Sequence, residues 1–277
     1  MSLENNSTAT KNSVADFEKN TGDTERINLF QSIWKGGYYG GDPLDRIHCH
    51  EYGDIGLISV NHALYQAYIR PQITSETVVL EIGPGRGAWT RCMLEAKKLD
   101  CVDVLSAEHN GFWQYVGNEN RDKITYHEVS DASLSSIEDN SVDYIFSFGT
   151  FCHISPELQK QYFENFYRKA KPGAIGLVLY ANYDKSNAAI DNLGELRAMP
   201  LSLSGIIGSL RYNYGILLSK FTGEGKQDKS DTRDTPGRFF HREISDVDDE
   251  LRAAGFSVLQ SDICLNHRDV IVQFRKE

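Results

Sequence analysis

Nowhere in the 277 residues does an uninterrupted apolar run approach the roughly eighteen needed to cross a bilayer as a helix, which excludes a helical membrane span. An excess of positive charge is missing too. With 39 acidic against 29 basic side chains the net charge is -10, which argues against broad nucleic-acid binding, because that leans on phosphate neutralisation. Cysteine is sparse. Cys49, Cys92, Cys101, Cys152 and Cys264 are odd in number and form no C-x-x-C pair, so no disulfide framework is expected and the thiols read as reduced. The opening segment MSLENNSTATKNS lacks an apolar h-region and an arginine-rich amphipathic pattern, which predicts no export or transit signal and a cytoplasmic protein. Its polar composition predicts a disordered tail over residues 1–24. What is present is ample for a large core: 40% hydrophobic residues, with 14 Tyr and 13 Phe. The length fits one large domain, or one domain carrying an insertion.

An N-terminal lid or helical arm is expected over residues 25–76. It begins with an aromatic, glycine-rich loop from Trp34 to Gly41, and a helix follows over 53–70, stopped at Pro71. From residue 77 short apolar runs alternate with helical patterns. Strands are expected at 77–82, 101–107, 124–128, 142–148 and 174–180, with helices at 88–98, 111–118 and 156–170. Such alternation predicts a Rossmann-like, doubly wound α/β fold around a mostly parallel sheet, here with seven strands. The core occupies 77–182. Residues 183–240 are too long for an ordinary α/β connection and read as an inserted substrate cap. Regular texture returns over 241–277, with a helix at 244–254 and strands at 256–264 and 269–274. Their short connection requires an antiparallel hairpin at the end of the sheet.

The run from Val78 to Thr90 reads VVLEIGPGRGAWT. A buried strand delivers Glu81, then Gly83, Gly85 and Gly87 at alternate positions, then a helical pattern begins. Glycines there let the backbone turn tightly and approach a ligand. Gly83, Gly85 and Ala88 also satisfy the dinucleotide fingerprint G-x-G-x-x-A, so the loop alone leaves a nicotinamide-dependent oxidoreductase open. Three acids bear on the choice. Glu81 would repel a pyrophosphate but suits an ammonium group. Glu108 is expected to close the second strand and accept two ribose hydroxyls. Asp131 follows the third strand, placed for an exocyclic adenine amine. A cationic adenosine ligand without phosphate fits this set, and S-adenosylmethionine is such a ligand.

These residues resemble the class I S-adenosylmethionine-dependent methyltransferases. The E-x-G-x-G-x-G loop at 81–87, Glu108, Asp131, the segment SVDYIFSFGTFCHIS at 141–155, KPGA at 171–174 and the terminal hairpin at 256–274 carry the resemblance, over about half of the chain. It implies that Glu81 and Gly83 contact the methionyl end, Glu108 the ribose and Asp131 the adenine. Gly85, Gly87, Ala132 and Phe148 complete the implied cofactor-binding set. The [N/D]-P-P-[Y/F] tetrad that many nucleobase methyltransferases carry after the fourth strand is replaced here by Phe148-Gly-Thr-Phe151. Together with the acidic charge, this points to a small-molecule substrate rather than DNA.

His153, after the fourth strand, is the candidate general base, because imidazole exchanges protons near neutral pH; the alternative is a histidine bonded within its own loop. His241 is the second catalytic candidate, read as a substrate contact, with helix capping as the alternative. Trp34, Tyr38 and Tyr39 are lid candidates. Between residues 183 and 242 nine basic side chains face seven acidic ones, and Arg238 and Arg242 are therefore candidates for an anionic substrate. His48-Cys-His50-Glu51 has no partnered motif, and no metal is expected. The expected activity is methyl transfer from S-adenosylmethionine to a small polar metabolite at a hydroxyl oxygen. N-methylation, an oxidoreductase and a non-catalytic binder of the same cofactor remain open. The sequence does not set the oligomeric state.

Overall fold

The computed structural model describes residues 42–45, 59–196, 239–266 and 268–277. Within them seven strands form one sheet: β1 Val78–Ile82, β2 Lys98–Asp103, β3 Ile124–Glu128, β4 Val142–Ser147, β5 Ala170–Ala181, β6 Phe256–Gln260 and β7 Asp269–Lys276. Their spatial order is β3-β2-β1-β4-β5-β7-β6. The first five strands run parallel, whereas β7 is antiparallel to both β5 and β6. The expected fold class and its terminal hairpin are thus observed. The strand order reverses between β1 and β4, and open parallel sheets bind ligands at such a switch, beyond the carboxyl ends of the strands.

Side chains alternate across each strand, so both faces carry apolar residues and both must be covered. On one face Leu80, Ile82, Ile145 and Val178 pack against Phe163 and Phe166 of α3 Pro156–Lys169, and against Val247 and Leu251 of α5 Ile244–Ala254. On the other, Val79, Tyr144, Phe146 and Leu177 meet Leu64, Ile69, Trp89, Met93 and Phe112. Leu64 closes α1 Val60–Leu64, which continues through a π-helical turn, and Phe112 opens α2 Phe112–Val116. Each such buried side chain contributes about 1.5–3 kcal/mol.

Local chemistry sets the helix ends. The Ser155 hydroxyl accepts from the Leu158 amide, Pro156 occupies the first turn, and Arg168 and Lys169 face the carbonyl end of α3. Gly255 stops α5 at φ 108°. A fourth helix, α4 Tyr183–Leu196, leaves the sheet directly after β5.

Several boundaries differ from expectation; β6, for one, ends at Gln260 rather than at 264, and three others bear on the site. The second strand spans Lys98–Asp103 rather than 101–107. Asp100 can be buried on it because its carboxylate pairs with Lys98 Nζ and His127 Nε2, both at 2.9 Å. Over 88–98 the expected α-helix is a set of turns with a 3₁₀ segment at Thr90–Met93. The amides of Cys92 and Ala96 reach back three residues, to the Trp89 and Met93 carbonyls. A 3₁₀ turn advances about 2.0 Å per residue against 1.5 Å for an α-helix, which carries the short chain to the start of β2. Finally, β5 begins at Ala170, directly after α3, and takes in Lys171-Pro172-Gly173 instead of starting beyond them at 174. No helix among the described residues is long and apolar enough to cross a membrane.

Candidate active site

The loop after β1 packs against the ends of β2 and β4. The Gly83 amide donates to the Val102 carbonyl at 2.8 Å, and the Thr150 hydroxyl donates to the Gly83 carbonyl at 3.3 Å. Gly83 has φ 69° and Gly87 φ 93°, conformations in which a side chain is strained. A Cβ on Gly83 would lie 1.9 Å from Thr150 Oγ1, and one on Gly87 would lie 2.1 Å from Val116 Cγ2. The glycines are therefore required by the protein's own packing as well as by any ligand.

Glu81 is 2% exposed. Its Oε2 accepts from Thr90 Oγ1 at 2.6 Å and from Cys101 Sγ at 3.7 Å. Burial pushes its pKa up to about 7, opposed by those hydrogen bonds and assisted by nearby Asp103. At the end of β2 stands Asp103, which the sequence reading missed. Its Oδ1 accepts from the Leu105 amide at 2.9 Å, while Oδ2 accepts from the Gly85 amide at 3.2 Å and from Asn110 Nδ2 at 3.3 Å. Burial raises its pKa to about 6, and these neutral donors pull against that rise.

Glu108 does not close the second strand. It is exposed, five positions beyond the end of β2. It lines an open cleft of about 490 Å³ along the β3 edge, with Trp113, Tyr126 and Glu128. The acid that the strand end delivers beside the glycine loop is Asp103. The signal for this was the apolar pair Cys101-Val102 immediately before the acid.

Asp131 is exposed in the turn after β3, where its Oδ1 accepts from the Ser133 amide at 2.8 Å. The bonds from Ser133 hold its pKa below the usual carboxylate value. Ala132 is buried, and its carbonyl accepts from Asn165 Nδ2 of α3 at 2.6 Å, which pins this turn to the core. Phe148 is half-buried after β4, its ring 4.6 Å from that of Trp89. His153 follows on a 3₁₀ turn, Phe151–His153, and stacks on Phe239 with centroids 4.9 Å apart. Glycine loop, acids and imidazole thus share the carboxyl end of the parallel strands. Among the described residues no lysine or arginine is ion-paired with Glu81, Asp103 or Asp131. Two buried acids and one exposed acid, none paired with a cation and all beside a backbone cradle, fit a cationic adenosine ligand that lacks phosphate.

Residues 79–173 match the family described as methyltransferase domain. The core is a class I methyltransferase domain, with S-adenosylmethionine as its cofactor. No curated protein matches the chain significantly. Similar solved structures include PKMT2 from Rickettsia typhi, 13% identical, covering 77% of this chain and 52% of that one, with a TM-score of 0.48. The 1,6-didemethyltoxoflavin-N1-methyltransferase from Burkholderia thailandensis is 13% identical, with coverages of 78% and 77% and a TM-score of 0.49. An O-methyltransferase family protein from Burkholderia thailandensis is 11% identical, with coverages of 78% and 55% and a TM-score of 0.49. The chain spans about half the length of the first of these structures.

Two residues expected to meet the substrate are engaged within the protein. His241 caps α4: its Nδ1 accepts from the Tyr183 amide at 2.9 Å, and its ring stacks on Tyr183 at 5.5 Å and 7°. That acceptor role places the proton of neutral imidazole on Nε2, which donates to Glu243 Oε1 at 2.9 Å. Asp184, His241 and Glu243 lie within 4.8 Å of one another, yet a metal on Nε2 would force the proton onto Nδ1, against the Tyr183 N–H donor. Arg242 is buried. Its guanidinium pairs with Glu250 Oε2 at 2.7 Å and donates to the Pro156 carbonyl at 3.3 Å, joining α5 to α3. Trp34, Tyr38, Tyr39, His48, His50 and Arg238 lie outside the described residues, as do the 1–24 tail and residues 197–238 of the expected cap.

Proposed function

We propose that this protein transfers a methyl group from S-adenosylmethionine to a hydroxyl oxygen of a small polar metabolite, with His153 as general base. The bound cofactor supplies an electrophilic methyl on a sulfonium. In this reading the glycine loop and Glu81 hold its methionyl end, Asp103 its ribose hydroxyls and Asp131 its adenine amine, while Phe148 and Ala132 line its bed. A ring nitrogen of His153 takes the proton that the hydroxyl gives up as the methyl is transferred, and fixing the acceptor in line supplies much of the remaining rate.

One observation carries the reading: a bonded path from the cofactor loop to the backbone of the turn that carries His153. Thr150 donates its hydroxyl to the Gly83 carbonyl, and the His153 amide donates to the Thr150 carbonyl at 2.9 Å. The net charge of -10 supports a small acceptor over a nucleic acid. The test is a methyl-transfer assay against hydroxyl-bearing metabolites, followed by His153→Ala. The expected result is a maximal rate lowered roughly 100-fold, in line with a lost general base, at unchanged cofactor affinity. Transfer to nitrogen acceptors alone, or a near-normal rate for His153→Ala, would refute the proposal.

A further inference from the structure

We propose that Asn110, backed by Tyr126, is a positioning residue for Asp103, so that cofactor affinity and its pH dependence are set by an amide that need not touch the cofactor. The inference rests on the reading of Asp103 as the acid that receives the ribose hydroxyls.

Asn110 is 4% exposed, in the turn between β2 and α2. Its Nδ2 donates twice, to Asp103 Oδ2 at 3.3 Å and to the Tyr126 hydroxyl oxygen at 2.9 Å. Tyr126 in turn donates to the Leu105 carbonyl at 2.8 Å. The amide oxygen, Asn110 Oδ1, is buried and accepts no hydrogen bond. An orphaned acceptor is costly in a folded interior, and a turn of the amide would be the obvious remedy. That turn would set an oxygen against the Asp103 carboxylate and remove the donor from the Tyr126 oxygen. The network therefore fixes the amide orientation, and the buried acceptor goes without a partner to keep an N–H on Asp103.

Among the described residues Asp103 has no other side-chain donor; the Gly85, Val104 and Leu105 amides supply the rest. The charged or titratable groups that face it are Glu81 from β1, Tyr126 from β3 and Tyr162 from α3, none of them a base. With burial already raising Asp103 to about 6, loss of the Asn110 donor moves its protonation further up. A protonated Asp103 is a poorer acceptor for a diol, so affinity falls with it.

The test is calorimetric titration of the full chain with S-adenosylmethionine between pH 5 and pH 8.5, for the wild type, Asn110→Leu, Tyr126→Phe and Asp103→Ala. Asn110→Leu is expected to bind about tenfold more weakly at pH 7, with the midpoint of its pH profile raised by about one unit. Tyr126→Phe, which keeps the ring packing, should move the midpoint in the same direction by less. Glu81 titrates in all these proteins and its surroundings change only where Asp103 is lost beside it, so the differences of Asn110→Leu and Tyr126→Phe from wild type report Asp103. If Asn110→Leu folds and its profile superimposes on the wild type while Asp103→Ala weakens binding, the inference is wrong and the ribose reading stands. If Asn110→Leu does not fold, an unshifted Tyr126→Phe profile overturns it equally. Wild-type affinity in Asp103→Ala overturns the ribose reading, and the inference with it.

Discussion

Glu81→Gln should stabilise the ligand-free protein relative to wild type, and increasingly so as the pH rises. The Glu81 carboxyl is buried against Thr90 and Cys101, and burial lifts its pKa from 4.5 to about 7. Because the folded form holds the proton more tightly than the unfolded chain, the stability from this group is complete below about pH 4.5 and is lost as pH rises through about 7. At about 1.4 kcal/mol for each tenfold change in affinity for the proton, the whole effect is about 3 kcal/mol. About 1 kcal/mol of it is already lost at pH 5, which leaves about 2 kcal/mol to appear between pH 5 and pH 8. Glutamine keeps the shape, removes the titration, and can still bond the Thr90 hydroxyl, which turns to donate or accept. Urea unfolding of both proteins at pH 5 and pH 8 gives the answer as a difference of differences, in which the other carboxylates largely cancel. A gap between wild type and Glu81→Gln that stays the same at both pH values would refute the reasoning, since an ordinary exposed carboxylate behaves that way.

Two further outcomes follow from the corrected site. Asp103→Ala should weaken S-adenosylmethionine binding by about 1–3 kcal/mol, whereas Glu108→Ala should change it by less than about 0.5 kcal/mol; calorimetry giving the opposite order would return the ribose role to Glu108. His241→Ala removes the acceptor for the Tyr183 amide and should cost about 1 kcal/mol of stability, as a lost helix cap does. A lower melting temperature with unaltered substrate KM is the expected pattern, and a raised KM at unaltered melting would instead make His241 a substrate contact.

Where the sequence carried periodicity and end signals together, it was legible. Residues 244–254 are helical to the residue, because apolar spacing and the Gly255 stop agree. Residues 124–128 are likewise the observed β3. Over 88–98 the pattern was real, since Ala88, Trp89, Cys92, Met93 and Ala96 are all buried. The backbone hydrogen bonds from Cys92 and Ala96 nevertheless close after three residues, and hydrophobic spacing does not distinguish that from a helix over so short a stretch. The second strand was displaced because Lys98 and Asp100 look like loop residues until His127 is known to lie opposite. That one shift bore on the site as well, because it placed Glu108 rather than Asp103 at the end of the strand. His241 was ambiguous for a different reason: its partner, the Tyr183 amide, lies 58 positions away and belongs to a backbone, which no side-chain motif announces.

The sheet order also bears on how the domain is made. β7 lies between β5 and β6, and among the described residues β6 bonds to no other strand. On a ribosome β6 emerges first and has nothing to join. Only when residues through Lys276 have cleared the exit tunnel do two strands enter the sheet at once, and the Lys276 ammonium then donates to the Tyr167 and Ala170 carbonyls more than a hundred positions earlier. Until that moment the outer edge of β5, with the apolar Leu177, Val178 and Leu179 beside it, is an unpaired edge exposed to other nascent chains. Chaperone demand during synthesis should therefore concentrate in the interval between the emergence of β5 and that of β7, and a circular permutant that delivers β7 before β6 should shorten it.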